Sequence, residues 1–285
     1  MSKDILFVCT GNTCRSPMAE AIFNTLSSAK AQSAGISIGI PGGAAKNACI
    51  AVEKYDANLE NQISSQLTVE DLEEYSLVVT MTSSQRDMLR RYAGSDKIIT
   101  LAEFAGEVGE VSDPYGGSLE LYEKTAEQIR NYIVKGIAKR SMCVFADENN
   151  LEQIAKMESD YFTDSWSENS VNIQIKNQKV IVIKYNEDIL GYCIFMIAAD
   201  EGEILRIATL ENMRQSGIGK KLLSSVISEM RESGVNEVFL EVRAGNVAAI
   251  ALYESIGFQK IGIRKGYYKD NGEDAVLYKL EIKER

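Results

Sequence analysis

The sequence predicts two α/β domains in tandem, a parallel sheet with crossover helices over residues 1–140 and a mixed sheet over residues 141–285. Three observations carry that expectation. At 285 residues the chain is long for one domain and comfortable for two. In the first half, short apolar runs alternate with amphipathic stretches, the pattern of strands joined by helices in a parallel sheet. From Met142 the runs become closely spaced and separated by short turn signals, and all three prolines, Pro17, Pro41 and Pro114, precede that change.

ILFV at 5–8 reads as the first strand, and a helix is expected from Pro17 to about Ala29. LVVTM at 77–81 and KIITL at 97–101 supply further strands, and a helix covers about Tyr122 to Ile137. KGIAKRS then passes from helix to strand near Arg140 with hardly any linker. In the second half MCVF is a strand and DENNLEQIAKMESDYF a helix, while VNIQIK, KVIVIKY and ILGYCIFMI are strands divided by NQ and NED turns. Alternation at Val171, Ile173 and Ile175, and again at Val180 and Val182, indicates half-buried antiparallel strands. EILRIATL and VFLEVR continue the sheet, with amphipathic helices at 217–233 and 247–256.

The formal charge is -10, from 31 basic and 41 acidic residues, with 14 against 18 up to Arg140 and the remaining 17 against 23 beyond it. Both halves are mildly acidic, which excludes a broad phosphate-backbone footprint and so direct nucleic-acid binding. Five irregularly spaced cysteines do not make a secreted disulfide framework. MSKDILFV has no signal-peptide pattern and no apolar run approaches a membrane span. A reduced, cytoplasmic protein is expected, without a membrane partner or a metal.

The stretch Cys9-Thr10-Gly11-Asn12-Thr13-Cys14-Arg15-Ser16-Pro17 holds the first chemical constellation. The chain has no histidine, so a nucleophilic cysteine must draw on another positive field. Gly11 and Asn12 permit the dihedrals of a tight turn, and Pro17 suits the first position of a helix. Backbone N–H groups between Cys9 and Ser16 then converge at a helix N-terminus, a site for a tetrahedral oxyanion that Arg15 can grip with two hydrogen bonds. The same field favours a thiolate at Cys9, and Ser16 can donate to its sulfur. Covalent phosphoryl transfer also needs an acid and then a base, for which Asp113 in VSDPYGGS is the candidate, with Tyr115 at the pocket mouth. Cys-x5-Arg alone is a weak signal; the strand before it and the Ser-Pro and Asp-Pro after it make the combination specific. Cys14 is either a packing residue or the partner of a reversible disulfide with Cys9.

Over residues 1–140 these motifs resemble the low-molecular-weight protein tyrosine phosphatases, a flavodoxin-like family. Within it they are most similar to the bacterial protein arginine phosphatases, whose loop also reads CTGNTCRSPMAE. The resemblance implies Cys9 as nucleophile, Arg15 as phosphate clamp and Asp113 as general acid and base, acting on phosphorylated proteins. Thr13 stands where tyrosine-specific relatives carry isoleucine, and DPYGG where they carry DPYYG, so phosphoarginine is the implied substrate. Gln62 replaces a histidine frequent in the family, a departure that touches the scaffold.

The second constellation is Arg214-Gln215-Ser216-Gly217-Ile218-Gly219-Lys220, which opens an amphipathic helix after a strand. Glycines at 217 and 219 let N–H groups approach a pyrophosphate, whose charge the helix terminus favours. A lone G-x-G is usually only a turn. Followed by VFLEVRAGNVAAIALYESIGF, the order becomes specific. With IAT and IRKGYY, it resembles the GNAT acetyltransferases and, more narrowly, the RimI-like ribosomal-protein-alanine N-acetyltransferases, across residues 141–285.

That resemblance implies acetyl-CoA along Ile207, Ala208 and Thr209, its pyrophosphate on Gln215, Ser216, Gly217, Ile218, Gly219 and Lys220, and its pantetheine near Asn246. It also implies Glu241 as base, Tyr253 as acid, and the N-terminal alanine of ribosomal protein bS18 as acceptor. By spacing alone Tyr253 is a core aromatic and Glu241 a solvent-facing strand carboxylate. Trp166 in DSWSEN resembles an aromatic that shapes the substrate side, and the 160–178 segment is shorter than usual. The alternatives are a tyrosine phosphatase joined to a lysine or small-amine acetyltransferase, and a non-catalytic scaffold. A scaffold has no need of an attacking thiolate with a partner acid.

Overall fold

A computed structural model describes residues 3–93 and 96–282, so Met1 and Ser2 of the opening stretch lie outside it. The chain separates into two compact units, residues 1–140 and 141–285.

The first unit runs β1 (Lys3–Cys9), α1 (Arg15–Leu26), β2 (Ala31–Gly35), α2 (Lys46–Glu53), α3 (Val69–Glu74), β3 (Tyr75–Thr80), α4 (Ser83–Ala93), β4 (Ile98–Thr100), α5 (Leu101–Ala105) and α6 (Leu119–Arg140). Its four strands lie in the order β2-β1-β3-β4, every pair parallel. This is the flavodoxin-like arrangement expected of the first half. Leu6, Val8, Ala34, Val78 and Ile98 form a core on the sheet with Leu89 of α4. The C-terminal end of β1, next to the centre of the sheet, is therefore where Cys9 emerges, and ligands of open α/β sheets bind outside such ends. The helix expected from Pro17 begins two residues earlier. Pro17 is its third residue, where a missing N–H costs nothing, because the first four N–H groups have no intrahelical acceptor.

The second unit runs β5 (Met142–Phe145), α7 (Leu151–Tyr161), α8 (Glu168–Lys176), β6 (Val180–Tyr185), β7 (Asp188–Ala198), β8 (Glu201–Thr209), α9 (Ile218–Glu232), β9 (Glu237–Arg243), α10 (Val247–Ile256), β10 (Gln259–Tyr268) and β11 (Glu273–Glu281). Its sheet has the order β10-β11-β9-β8-β7-β6-β5 and is antiparallel except for the parallel pair β8 and β9. On one face α9 buries Ile218, Leu222, Leu223, Val226, Ile227 and Met230, a stripe of helical period contributing about 1.5–3 kcal/mol for each large side chain. On the other face α7 and α8 cover Val180, Val182, Tyr192 and Ile194.

One expectation fails. VNIQIK is the helix α8, not a strand: Ser167 caps it by accepting from the Ser170 N–H, and Val171 and Ile175 are buried four residues apart while Ile173 faces out. Six residues with apolar side chains at every second position also contain an i, i+4 pair, and the cap decides between them.

Among the described residues no helix is long and apolar enough to cross a membrane, and no three acidic or cysteine side chains group as a metal site needs.

Candidate active sites

Cys9 ends β1 with only 3% of its surface exposed, and two donors point at its sulfur: the Asn12 N–H at 3.3 Å and the Ser16 hydroxyl at 3.0 Å. Both suit a sulfur that carries negative charge. The turn is made by Asn12, which adopts φ 51°, while Gly11 stays outside the left-handed region. Asn12 is fully buried and holds the loop from four sides. Its Nδ2 donates to the hydroxyls of Ser16 (3.0 Å) and Ser33 (2.8 Å), and its Oδ1 accepts from the Ser65 N–H (2.8 Å) and Gln62 Nε2 (3.3 Å). Gln62 Nε2 also reaches the Asn12 carbonyl at 3.3 Å, and its Oε1 is buried without a partner. Gln62 therefore bonds the loop through Asn12.

Arg15, 6% exposed, occupies the first turn of α1 and donates to Asp113 Oδ2 at 2.7 Å. Asp113 reaches the loop because Val111 N–H donates to the Met81 carbonyl at the end of β3, and Gln128 of α6 bonds both Ser112 and Glu110. Asp113 Oδ1 accepts from the Tyr115 N–H (3.2 Å), closing a turn that leaves the Tyr115 ring 79% exposed. Thr13 is half-buried, its carbonyl accepting from Ala45, and Thr10 accepts from Gln85 Nε2 at 3.2 Å. Sequence reasoning missed Gln85, whose Oε1 also caps Met81 and Thr82, and Tyr122, whose hydroxyl lies 3.2 Å from Cys14 Sγ. Burial, then the Cys14 contact, pushes the Tyr122 phenol well above its usual range. Cys9 and Cys14 are both buried free thiols, and Cys14 packs beside the Tyr122 hydroxyl.

In the second unit the decisive feature is where β8 and β9 part. Their parallel pairing runs from Glu201 opposite Glu237 to Ile204 opposite Leu240 and stops. Beyond it β8 continues to Thr209 paired only with β7, so Ile207, Ala208 and Thr209 show β9 an unpaired edge. Glu241 is the first residue of β9 past that last pair. Its carboxylate is bound by Arg264 at 2.5 Å and accepts from Tyr267, and it lines a cavity of about 280 Å³ with Glu203, Phe239 and Leu277. Burial, then the charge of Glu241, raises the Glu203 carboxyl above its ordinary value.

Tyr253 is buried, its ring against Phe258 and Tyr278. Burial pushes its phenol well above the usual range, so it keeps its proton. Spacing correctly made it a core aromatic, and among the described residues its hydroxyl has no hydrogen-bond partner. Gln215 and Gly217 take φ 60° and 90° ahead of α9, whose first i to i−4 bond comes only at Lys221. The N–H groups of Ile218, Gly219 and Lys220 precede that bond and suit an anion. A side chain at Gly219 would press within 3.2 Å of Leu252. Asn246 caps α10 by accepting from the Ala249 N–H at 3.1 Å, a structural task that its sequence position did not reveal.

A family model described as low molecular weight phosphotyrosine protein phosphatase matches residues 4–140, and one described as the acetyltransferase (GNAT) family matches residues 151–258. The chain is 39% identical over 146 residues to the protein-arginine-phosphatase of Bacillus subtilis, covering 48% of this chain and 95% of that one. It is 38% identical over 133 residues to the low molecular weight protein-tyrosine-phosphatase PtpB of Staphylococcus aureus, covering 46% and 94%. It is 40% identical over 99 residues to the [ribosomal protein bS18]-alanine N-acetyltransferase of Escherichia coli, covering 34% and 67%. The chain is therefore an enzyme that belongs, through its first half, to the low molecular weight phosphotyrosine protein phosphatase family and, through its second half, to the GNAT acetyltransferase family.

Proposed function

We propose that the first domain hydrolyses phosphoarginine in proteins through a phosphocysteine on Cys9, and that the second transfers acetyl from acetyl-CoA to the N-terminal alanine of ribosomal protein bS18. Both activities then operate where ribosomes are, in the cytoplasm.

The observation that carries the first half is the pair of donors, Asn12 N–H and Ser16 hydroxyl, on the Cys9 sulfur, with Arg15 of the same loop bonded to Asp113. The sulfur attacks phosphorus while Arg15 holds two of the phosphoryl oxygens. Asp113 gives its proton to the departing guanidinium nitrogen as the P–N bond breaks. Asp113 then takes a proton from the water that attacks the phosphocysteine, and the sulfur leaves onto the Asn12 and Ser16 donors. A small, half-buried Thr13 in the loop leaves room for a planar guanidinium, and the identity to an arginine phosphatase supports the same choice. The identity to a tyrosine phosphatase supports a second reading, phosphotyrosine. Initial rates on phosphoarginine and phosphotyrosine peptides decide between them. The arginine form should be preferred, and Thr13→Ile should move the ratio towards tyrosine by about tenfold or more. Preference of the unaltered chain for phosphotyrosine would sink the specificity while sparing the mechanism.

For the second half the parted strands carry the reading. The free edge at Ile207–Thr209 fits the arm of acetyl-CoA, and the N–H groups at the start of α9, from Gln215 to Lys220, fit its pyrophosphate. Acetyl-CoA supplies the activated acyl group. Glu241 accepts the proton of an α-amine of pKa about 7.7–8.0, and Tyr253, held protonated by burial, gives one to the departing thiolate. Labelled acetyl-CoA with unacetylated bS18 tests this. Label on the N-terminal alanine is expected; label only on lysines or small amines would favour the broader GNAT alternative.

A further inference from the structure

The loop between α7 and α8 is strapped across the point where β8 and β9 part, and two arginines hold it. Arg206 of β8 binds the Asp164 carboxylate at 3.2 and 3.0 Å and the Asp164 carbonyl at 2.8 Å. Arg243 of β9 binds the hydroxyl of the preceding residue, Thr163, at 3.1 Å, and both Arg243 and Thr163 bind Asp270 in the turn before β11. Neighbouring loop residues are thus gripped by the two strands whose separation makes the gap. Beneath them Glu158 of α7 is fully buried, bonded by the Tyr192 hydroxyl at 2.5 Å and the Trp166 N–H at 2.9 Å.

Arg206 is the costly member of this arrangement. Its side chain is only 13% exposed and stacks against the rings of Phe162 and Trp166. Its Nε lies 3.9 Å from Glu158, within ion-pair range but too far for a hydrogen bond, and has no other partner. An apolar residue would pack between those rings but would leave the fully buried Glu158 without this cation, a strongly destabilising loss. The need for a positive charge beside Glu158 does not account for the three hydrogen bonds that Nη1 and Nη2 make to Asp164, on the loop beside the parted strands.

We propose that Arg206 is a positioning residue for the acceptor: by pinning Asp164 and the Trp166 ring over the gap, it fixes the wall against which a peptide N-terminus is presented to Glu241. The inference rests on the reading that the second domain acetylates a protein N-terminus. It assigns Arg206 no contact with the reacting atoms and no part in holding acetyl-CoA.

The test uses the full chain, with Asp164→Ala and Arg206→Lys as variants. Trp166 is the only tryptophan, so acrylamide quenching reports the loop without any acceptor present. Quenching should rise by about twofold or more, and KM for an alanine-terminated peptide by about tenfold. KM for acetyl-CoA and kcat should stay within about twofold. Quenching that rises with no change in peptide KM overturns the proposal, as does no change in either. A parallel rise in KM for acetyl-CoA overturns it too, because a general loosening of the domain moves both. If Arg206→Lys does not fold, Asp164→Ala, a change at an exposed side chain, decides alone. Wild-type protein that acetylates lysines or small amines and no peptide N-terminus ends the acceptor reading before any variant is compared.

Discussion

The two candidate sites are built on opposite plans. In the first, Cys9, Asn12, Arg15 and Ser16 lie within eight residues, and the donors to the sulfur come from the loop itself. In the second, the candidate residues Ile207–Thr209, Glu241 and Tyr253 come from three elements, β8, β9 and α10, and the first two flank the point where two strands stop pairing. A site made of one loop depends on that loop's own conformation, whereas a site made of separated elements depends on the register of the whole sheet. The first should fail through single residues in the loop, and the second also through distant residues that hold its elements apart.

The largest expected effect separates the sites outright. Cys9→Ser should lower phosphatase kcat by about 10⁴-fold or more, and Glu241→Gln should lower acetyl transfer by about 10²–10⁴-fold, each leaving the other activity unchanged. Loss of both activities in either variant, measured on the same preparation, would mean that the domains do not work independently. Smaller, and confined to the first site, is Asn12→Ala. Removing the buried side chain that ties Ser16, Ser33, Gln62 and Ser65 should cost about 2–4 kcal/mol in denaturant unfolding and more than tenfold in phosphatase rate. A loss of stability with unchanged rate would show that the loop holds its shape without Asn12.

The smallest effect is on pH dependence. Burial raises the phenols of Tyr122, Tyr192 and Tyr253 in the folded chain, so they stay protonated where the unfolded chain has begun to ionise. Their contribution is complete below about pH 10 and is lost progressively as pH rises above it. Tyr253→Phe should make unfolding midpoints less steep between about pH 10 and 11. It should also slow acetyl transfer by about 10²-fold. An unchanged slope would place Tyr253 in contact with solvent, against its burial.

How much was legible follows the same division. The strand, turn and helix around Cys9 could be read because each signal, ILFV, Gly11-Asn12 and Ser-Pro, acts over a few residues. Asp113 needed the Asp-Pro turn, and Gln85 and Tyr122 were missed because nothing local distinguishes them. They matter only through contacts made 75 and 108 residues away in sequence. VNIQIK was misread because its alternation fits two periods, and the helix won through the cap at Ser167 and the core that accepts Val171 and Ile175. Asn246 and Tyr253 show the converse: their local duties, a helix cap and a core ring, are observed, and whatever further part they play depends on neighbours that spacing does not display.

By itself the sequence determined the two-part α/β architecture and the strand, turn and helix start around Cys9, because apolar periodicity, turn residues and helix starts are short-range. The tertiary structure alone decided that β8 and β9 separate after Ile204 and Leu240, that Glu241 is the first residue of β9 beyond that pairing, and that Arg206 and Arg243 strap a loop across the two strands. The alternation of apolar residues fixes which face each strand buries, but where two strands joined through a helix stop pairing is an outcome of packing over the whole seven-stranded sheet.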